Sequence, residues 1–211
     1  DLEDLPLLIA LHLDAARQGP GGDAQTRKLK QLAGLDRSRP LKIAHSGCGT
    51  GAASLLLAEE LDARITAVDF STRFLDELTA RAEARGLSDR IDTLARSMDD
   101  LPFSHGEFDV IWSEGAIYNM GFEAGVNDWK PFLKPGGVLV VSEITWLGDT
   151  RPGEVDSFWS AEYPEIATAS EKMAVLERAA YRPEASFILP KHCWLDNYYR
   201  PVQARFGAFL E

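Results

Sequence analysis

The chain has 211 residues, 45% of them hydrophobic, enough to bury a full core in one domain with some elaboration and to exclude extensive disorder. Its 22 Lys and Arg stand against 33 Asp and Glu, a net charge of −11; this repels a phosphate backbone, no basic patch compensates locally, and nucleic acid is disfavoured as a partner. Two cysteines, Cys48 and Cys193, are too few for a disulfide framework and no apolar run is long enough to span a bilayer, so the default setting is reducing and cytoplasmic.

The chain opens on Asp1 rather than a methionine and reads as trimmed. Leu7, Leu8, Leu11 and Ala15 recur at helical spacing and stop at Gln18-Gly19-Pro20-Gly21-Gly22, which predicts an N-terminal helix followed by a mobile loop. Thr26 to Leu35 resumes a helical pattern, and Pro40 precedes the first strand. From there the alternation is regular: a strand over 41–45, a helix over 51–61, a strand over 64–68, and a helix over 72–85 with Phe74, Leu78 and Ala82 on one face. Residues 91–96 make a weaker strand, Phe108 to Trp112 a stronger one, and Val126 to Leu133 a short helix stopped by Lys134-Pro135-Gly136-Gly137. The apolar run Val138 to Val141 opens a strand expected over Val138 to Ile144 and predicts burial on both faces, as at the centre of a parallel sheet. Beyond it come a turn-rich connector over 148–153, a helix from Glu154, a break at Pro164, a helix from Ser170 to Ala180, an extended Ser186 to Leu189, and a helical pattern over 196–211 interrupted by Pro201.

Strands separated by helices imply right-handed crossovers and an α/β fold: a doubly wound, mostly parallel, Rossmann-like sheet with helices on both faces. Ligands in that architecture sit at the carboxyl ends of the strands, where Gly47-Cys48-Gly49-Thr50-Gly51, Asp69, Met98-Asp99 and Ser113-Glu114 all fall. Glycines let a turn take positive φ and let backbone approach a ligand, while an acidic side chain one strand later accepts from both hydroxyls of a ribose. Two nucleoside cofactors compete for such a site. Gly47-x-Gly49-x-x-Ala52 with Asp69 satisfies a relaxed dinucleotide fingerprint, but no hydride-transfer signature follows, and no Tyr-x-x-x-Lys pair.

Five ordered segments resemble the class I methyltransferases dependent on S-adenosylmethionine. His45-Ser46-Gly47-Cys48-Gly49-Thr50-Gly51 resembles the family's first motif and Ala67-Val68-Asp69-Phe70 its second. Ser97 to Phe103 and Phe108 to Trp112 are similar to its third and fourth, and Leu133-Lys134-Pro135-Gly136-Gly137 to its fifth. The string Trp112 to Asn119 is similar to a bacterial subgroup placed with ubiquinone and menaquinone biosynthesis methyltransferases. The resemblance implies one domain over 1–211, with N-terminal helices and a lid loop over 1–40, a cofactor-binding core over 41–144, and acceptor-side helices with a last strand over 145–211. It also implies roles. Gly47, Gly49 and Gly51 shape the loop under the methionine part of the cofactor, Asp69 holds the ribose, and Phe70 packs on adenine. Met98 and Asp99 meet the adenine edge, and Ser113 with Glu114 lines the methionine side. For Asp69 and Asp99 the competing reading is structural, a helix cap in the first case. His45 departs from the family, which carries Asp or Glu there; a histidine gives less attraction to the cofactor's ammonium or adds a cation. Cys48 reads as filler of a tight turn, with a reactive thiol as the alternative. The family's last two strands are represented only by Ser186 to Leu189, so the final strand is missing from the pattern and the sheet edge is either cut short or completed by a partner, as in a homodimer.

Methyl transfer needs an aligned nucleophile and a dry site, and it needs no metal. His12, His45, His105 and His192 show no ligand spacing, so no metal site is expected. A base helps only a protonated acceptor; the candidates are Glu114, after the fourth strand, and His192, among aromatics, for which a surface or core role competes. Tyr118 and Asn119 stand where an acceptor pocket begins, with Trp146 as a further lining candidate. The aromatics of the last third favour a small-molecule methyl acceptor over a polymer. Besides this reading stand an NAD(P)-dependent oxidoreductase and a catalytically silent cofactor-binding module.

Overall fold

The computed structural model describes residues 5–209; the ends of the expected 1–211 domain and of the 196–211 helical pattern lie outside the described residues. In chain order the main elements are α1 (Leu5–His12), α2 (Asp23–Leu32), β1 (Leu41–Ser46), α3 (Ala52–Glu60), β2 (Ala63–Asp69), α4 (Thr72–Ala84), β3 (Ile91–Ala95), β4 (Phe108–Glu114), α5 (Phe122–Trp129) and β5 (Leu133–Ser142). After them come β6 (Thr145–Trp146), α6 (Gly153–Glu162), β7 (Ala167–Thr168), α7 (Ala169–Arg178), α8 (Lys191–Trp194) and α9 (Arg200–Arg205). Five parallel strands pair in the order β3-β2-β1-β4-β5. Chain direction across the sheet therefore reverses between β1 and β4, and the carboxyl ends of these two strands form the crevice where this architecture binds ligands.

Alternation along the strands makes two cores. Ile43, Ile65, Val110 and Trp112 face one side and pack with Leu55, Leu57, Leu75 and Leu78 of α3 and α4. Ala44 and Ile111 face the other and meet Phe122, Val126 and Trp129 of α5, with Val175 and Leu176 of α7 behind them; Phe108 joins this second core because a register shift between Phe108 and Val110 breaks the alternation there. One residue of offset on a strand thus sends its side chain to the opposite helical layer. At the amino end of the sheet, away from the crevice, Asp109 accepts from the Lys42 N–H (2.9 Å), Lys134 Nζ (2.8 Å) and Arg39 Nη1 (2.7 Å), joining β1, β4 and β5. Burial pushes the Asp109 carboxyl up, but these donors outweigh it and hold it at about 2.

Five expectations need correction. The strand expected over Val138 to Ile144 is β5, which begins at Leu133 and takes in the Lys134-Pro135-Gly136-Gly137 stretch expected to be a turn. It is also not central: of its ten residues only Val140 is buried, and no described strand pairs with its outer edge. Ser186 to Leu189 is irregular rather than a strand. The loop expected to be mobile is packed, with Gly21 and Gly22 buried. Pro201 does not interrupt the C-terminal helical run; it sits in the first turn of α9, directly after a π-helical turn at Leu195–Tyr199, where its missing N–H is tolerated.

Candidate active site

A cavity of about 390 Å³ lies at the crevice. His45 from β1 and Gly47 and Gly49 from the turn after it form one wall. Asp69 and Phe70 come from the end of β2, Met98 and Asp99 from the turn after β3, and Glu114, Tyr118 and Asn119 from the end of β4 and the 3-10 turn Ile117–Asn119. The other sequence candidates stand apart from this lining. Gly51 caps α3 in the left-handed region. Ser113 is fully buried in β4 with an unpartnered hydroxyl among the described residues. Trp146 lies under the Arg151 guanidinium, 4.1 Å from its ring centre, and His192 is exposed on α8.

The glycine turn is braced from β2. The Cys48 N–H donates to the Val68 carbonyl (2.9 Å), and the Gly49 N–H donates to Asp69 Oδ2 (2.9 Å) while Oδ1 accepts from the Ser71 N–H (3.0 Å). Burial pushes the Asp69 carboxyl up, opposed by these backbone donors. The capping role weighed for Asp69 belongs to Ser71, whose hydroxyl accepts from the Phe74 N–H ahead of α4. Cys48 is buried, and burial raises its thiol well above the ordinary value, which disfavours the thiolate at neutral pH.

His45 is buried with Nδ1 2.6 Å from Ser54 Oγ. Burial, helped by the nearby Arg17 charge, lowers it to about 3, so it is a neutral imidazole. The cation weighed for this position is absent; the weaker attraction relative to a carboxylate remains.

Glu114 is held more firmly than an exposed proton acceptor. Its Oε1 accepts from Trp112 Nε1 (2.9 Å), Arg17 Nη1 donates to Oε2 (3.1 Å), and Thr26 Oγ1 lies 2.9 and 3.2 Å from the two oxygens. The side chains of Glu114 and Arg17 are 9% and 11% exposed, so β4 holds the segment between α1 and α2 through an almost buried ion pair. The same segment is tied down by Gln18, whose Oε1 accepts from the Thr50 N–H (2.8 Å) and whose Nε2 donates to Thr50 Oγ1 (3.0 Å). Asn197 from the C-terminal helical run donates to the Gly21 carbonyl (2.6 Å). Arg17, Gln18, Gly19 and Pro20 thereby wall the cavity. No local sequence pattern marks them as site residues, because Arg17 and Thr26 meet Glu114 across 97 and 88 residues of sequence.

The cavity suits S-adenosylmethionine on its own geometry. A Cβ on Gly47 would lie 2.3 Å from Ala116 Cβ and one on Gly49 2.2 Å from Gln18 Oε1, so the floor is bare backbone that only glycine permits. Asp69 presents acceptors at the end of β2, and Phe70, 55% exposed, presents a flat apolar face beside it.

Residues 43–137 match the family model for a methyltransferase domain. The chain is 24% identical over 173 residues to a 27-O-demethylrifamycin SV methyltransferase of Amycolatopsis mediterranei, covering 78% of this chain and 62% of the relative. It is 28% identical over 190 residues to a glycine/sarcosine/dimethylglycine N-methyltransferase of Actinopolyspora halophila, covering 89% of this chain and 32% of that protein. The chain thus spans less than two thirds of either relative. Among solved structures, a SAM-dependent methyltransferase from Geobacter sulfurreducens in complex with S-adenosyl-L-homocysteine superposes with a TM-score of 0.82 at 18% identity, covering 95% of this chain and 80% of that one. No helix among the described residues is long and apolar enough to cross a membrane. Domain match, named relatives and shared architecture agree: residues 43–137 are similar to a methyltransferase domain, and the chain has the fold of S-adenosylmethionine-dependent methyltransferases.

Proposed function

We propose that the chain transfers the methyl group of S-adenosylmethionine to a small-molecule acceptor. The observation that carries this reading is the meeting, in one cavity, of a side-chain-free glycine floor, the Asp69 carboxylate and the exposed Phe70 ring. When bound, the cofactor supplies an electrophilic methyl on a sulfonium. The chain's part is to bind, orient and dry the site. Asp69 would hold the ribose, Phe70 would stack on adenine, Met98 and Asp99 would meet its edge, and Gly47, Gly49 and Gly51 would shape the loop beneath the methionine. Glu114 would act indirectly, by fixing Arg17 and the strap that walls the cavity. Tyr118 and Asn119 lie on the cavity lining beyond β4 and would begin the acceptor pocket. Exposed on α8 outside the lining, His192 takes no role in this reading, and neither does Trp146.

The finer subgroup, close to ubiquinone and menaquinone biosynthesis methyltransferases, rests on the string Trp112 to Asn119. A homodimer belongs to the proposal as well, supported by the unpaired outer edge of β5 among the described residues; sedimentation of the chain tests it. Calorimetry with S-adenosylmethionine, S-adenosylhomocysteine and NAD tests the cofactor, the first two binding and NAD not. Release of S-adenosylhomocysteine across hydroxyl, amine and thiol acceptors then tests turnover. Binding of NAD alone would sink the reading.

A further inference from the structure

A second polar cluster lies beside the cavity and has no part in the roles above. Glu143 directly follows β5, next to Ser142, which pairs with Glu114 in the sheet register and whose hydroxyl accepts from the Gly115 N–H (2.7 Å). Its Oε1 accepts from Tyr163 Oη (2.5 Å) and lies 2.8 Å from Lys172 Nζ, which also donates to Tyr163 Oη (2.9 Å). The Lys172 ammonium sits 4.7 Å from the ring centres of both Phe122 and Tyr163. Side chains of Lys172 and Glu143 are 7% and 6% exposed. Glu143 Oε2 is buried and has no hydrogen-bond partner among the described residues.

A buried carboxylate oxygen without a donor is costly, and an ion pair in the interior stabilises little by itself, so such an arrangement calls for a reason beyond folding. The cavity supplies one. Tyr118 lines it, is 43% exposed, and meets Tyr163 edge-on with ring centres 6.0 Å apart. The cavity wall is therefore in contact with the ring whose hydroxyl is bonded to Glu143. An ionised carboxylate only accepts hydrogen bonds. Lys172 already compensates its charge, so the remaining lone pairs of Oε2 suit a neutral donor better than an ammonium.

We propose that Glu143, held by Tyr163 and Lys172, is the polar end of the acceptor site, and that its Oε2 receives the O–H or uncharged N–H of a flat small molecule. The inference rests on the methyl-transfer reading, because it assigns the acceptor end of that same cleft. Tyr163 and Lys172 are positioning residues: they fix Oε1 and leave Oε2 for the ligand.

The test titrates the full chain, loaded with S-adenosylhomocysteine, with phenol and with anisole, which differ by the donor hydrogen, and reads binding by calorimetry. Phenol binds about 10-fold more tightly than anisole if Oε2 takes the donor. In Glu143→Gln the amide oxygen stays toward the two donors and the amide NH₂ replaces Oε2, offering a donor where an acceptor stood. The phenol preference then disappears or inverts, while affinity for S-adenosylhomocysteine stays within about twofold because the change lies outside the cofactor lining. Since Glu143→Gln leaves the Lys172 charge without its carboxylate, the double variant Glu143→Gln/Lys172→Met removes both charges and gives the same loss of preference. Equal binding of the two probes by the wild type, or a preference that survives both variants, overturns the inference and leaves an ordered water as the partner of Oε2. Wild-type chain that binds neither S-adenosylmethionine nor S-adenosylhomocysteine overturns the methyl-transfer reading and the inference with it; intact cofactor binding without a phenol preference overturns the inference alone.

Discussion

Glu114→Ala is the sharpest test of how the cavity is assembled. The substitution removes the acceptor of Arg17 Nη1, Trp112 Nε1 and Thr26 Oγ1 at once, and Arg17 is only 11% exposed and Thr26 fully buried. Removing one partner of a largely buried ion pair costs about 3–5 kcal/mol; Asp23 Oδ1, 2.9 Å from Arg17 Nη2, still compensates part of the charge, so the low end, about 3 kcal/mol, applies here. In a domain of this size each kcal/mol lowers the melting temperature by roughly 2–4 °C, so a drop on the order of 10 °C is expected. Glu114→Gln is expected to fall between the two, because every neighbouring group is a donor and the new NH₂ must oppose one of them. Thermal unfolding by circular dichroism gives the magnitude, and hydrogen exchange gives the place: residues 15–26 lose protection while β1 and β4 keep theirs. S-adenosylhomocysteine binds more weakly to the alanine variant, since Arg17 to Pro20 wall the cavity and must then be ordered on binding. A melting temperature within about 2 °C of wild type, with unchanged exchange over residues 15–26, would refute the latch.

Three further outcomes follow from the same geometry. His45 takes up its proton near 6.5 when unfolded and only at about 3 when folded; the unfolded state binds more protons between these values, so stability falls as pH drops through that window. Urea titrations at pH 7 and pH 5 are expected to show wild type losing about 2 kcal/mol more than His45→Gln, and equal losses count against a buried neutral imidazole. His45→Asp places a carboxylate at the cavity wall within reach of Ser54 and is expected to tighten S-adenosylmethionine binding about 5-fold by calorimetry, where unchanged or weaker binding would remove His45 from the ammonium's surroundings. Gly49→Ala drives a Cβ to 2.2 Å from Gln18 Oε1 at a φ of +54°, whereas Gly86→Ala, at +67°, meets nothing within 4 Å. Both pay backbone strain of about 1 kcal/mol, but only the Gly49 variant loses cofactor affinity, by roughly 10-fold or more, as the strap is displaced; equal affinities in the two variants would show that Gln18 is not part of the cavity.

What was legible in the sequence divides along the cleft, and the division has a physical cause. The β1 turn and the end of β2 are short-range features: positive φ at Gly47 and Gly49 and the Asp69 brace to the Gly49 N–H all arise within 25 residues, so residue type and spacing carry the information. The run from Val138 to Val141 reports apolar side chains but not what lies beside them. It reads as a central strand, yet β5 ends the described sheet and stays half-exposed, because a neighbouring strand is a property of the rest of the chain. Ser186 to Leu189 is irregular although the outer edge of β5 is open among the described residues: extended propensity makes a strand only where the rest of the chain brings it to an edge. Contacts that close the far side of the cleft are longer-range still. Arg17 and Thr26 reach Glu114, Asn197 reaches Gly21 across 176 residues, and Lys172 reaches Glu143. None of these pairs has a local pattern that announces it. A cofactor half written in local motifs and an acceptor half assembled from distant segments would explain how relatives with differently named acceptors can both be similar to this chain: on the proposal above, the residues that would choose the acceptor, Glu143 and Tyr163 among them, are free to differ around a common site for the methyl donor.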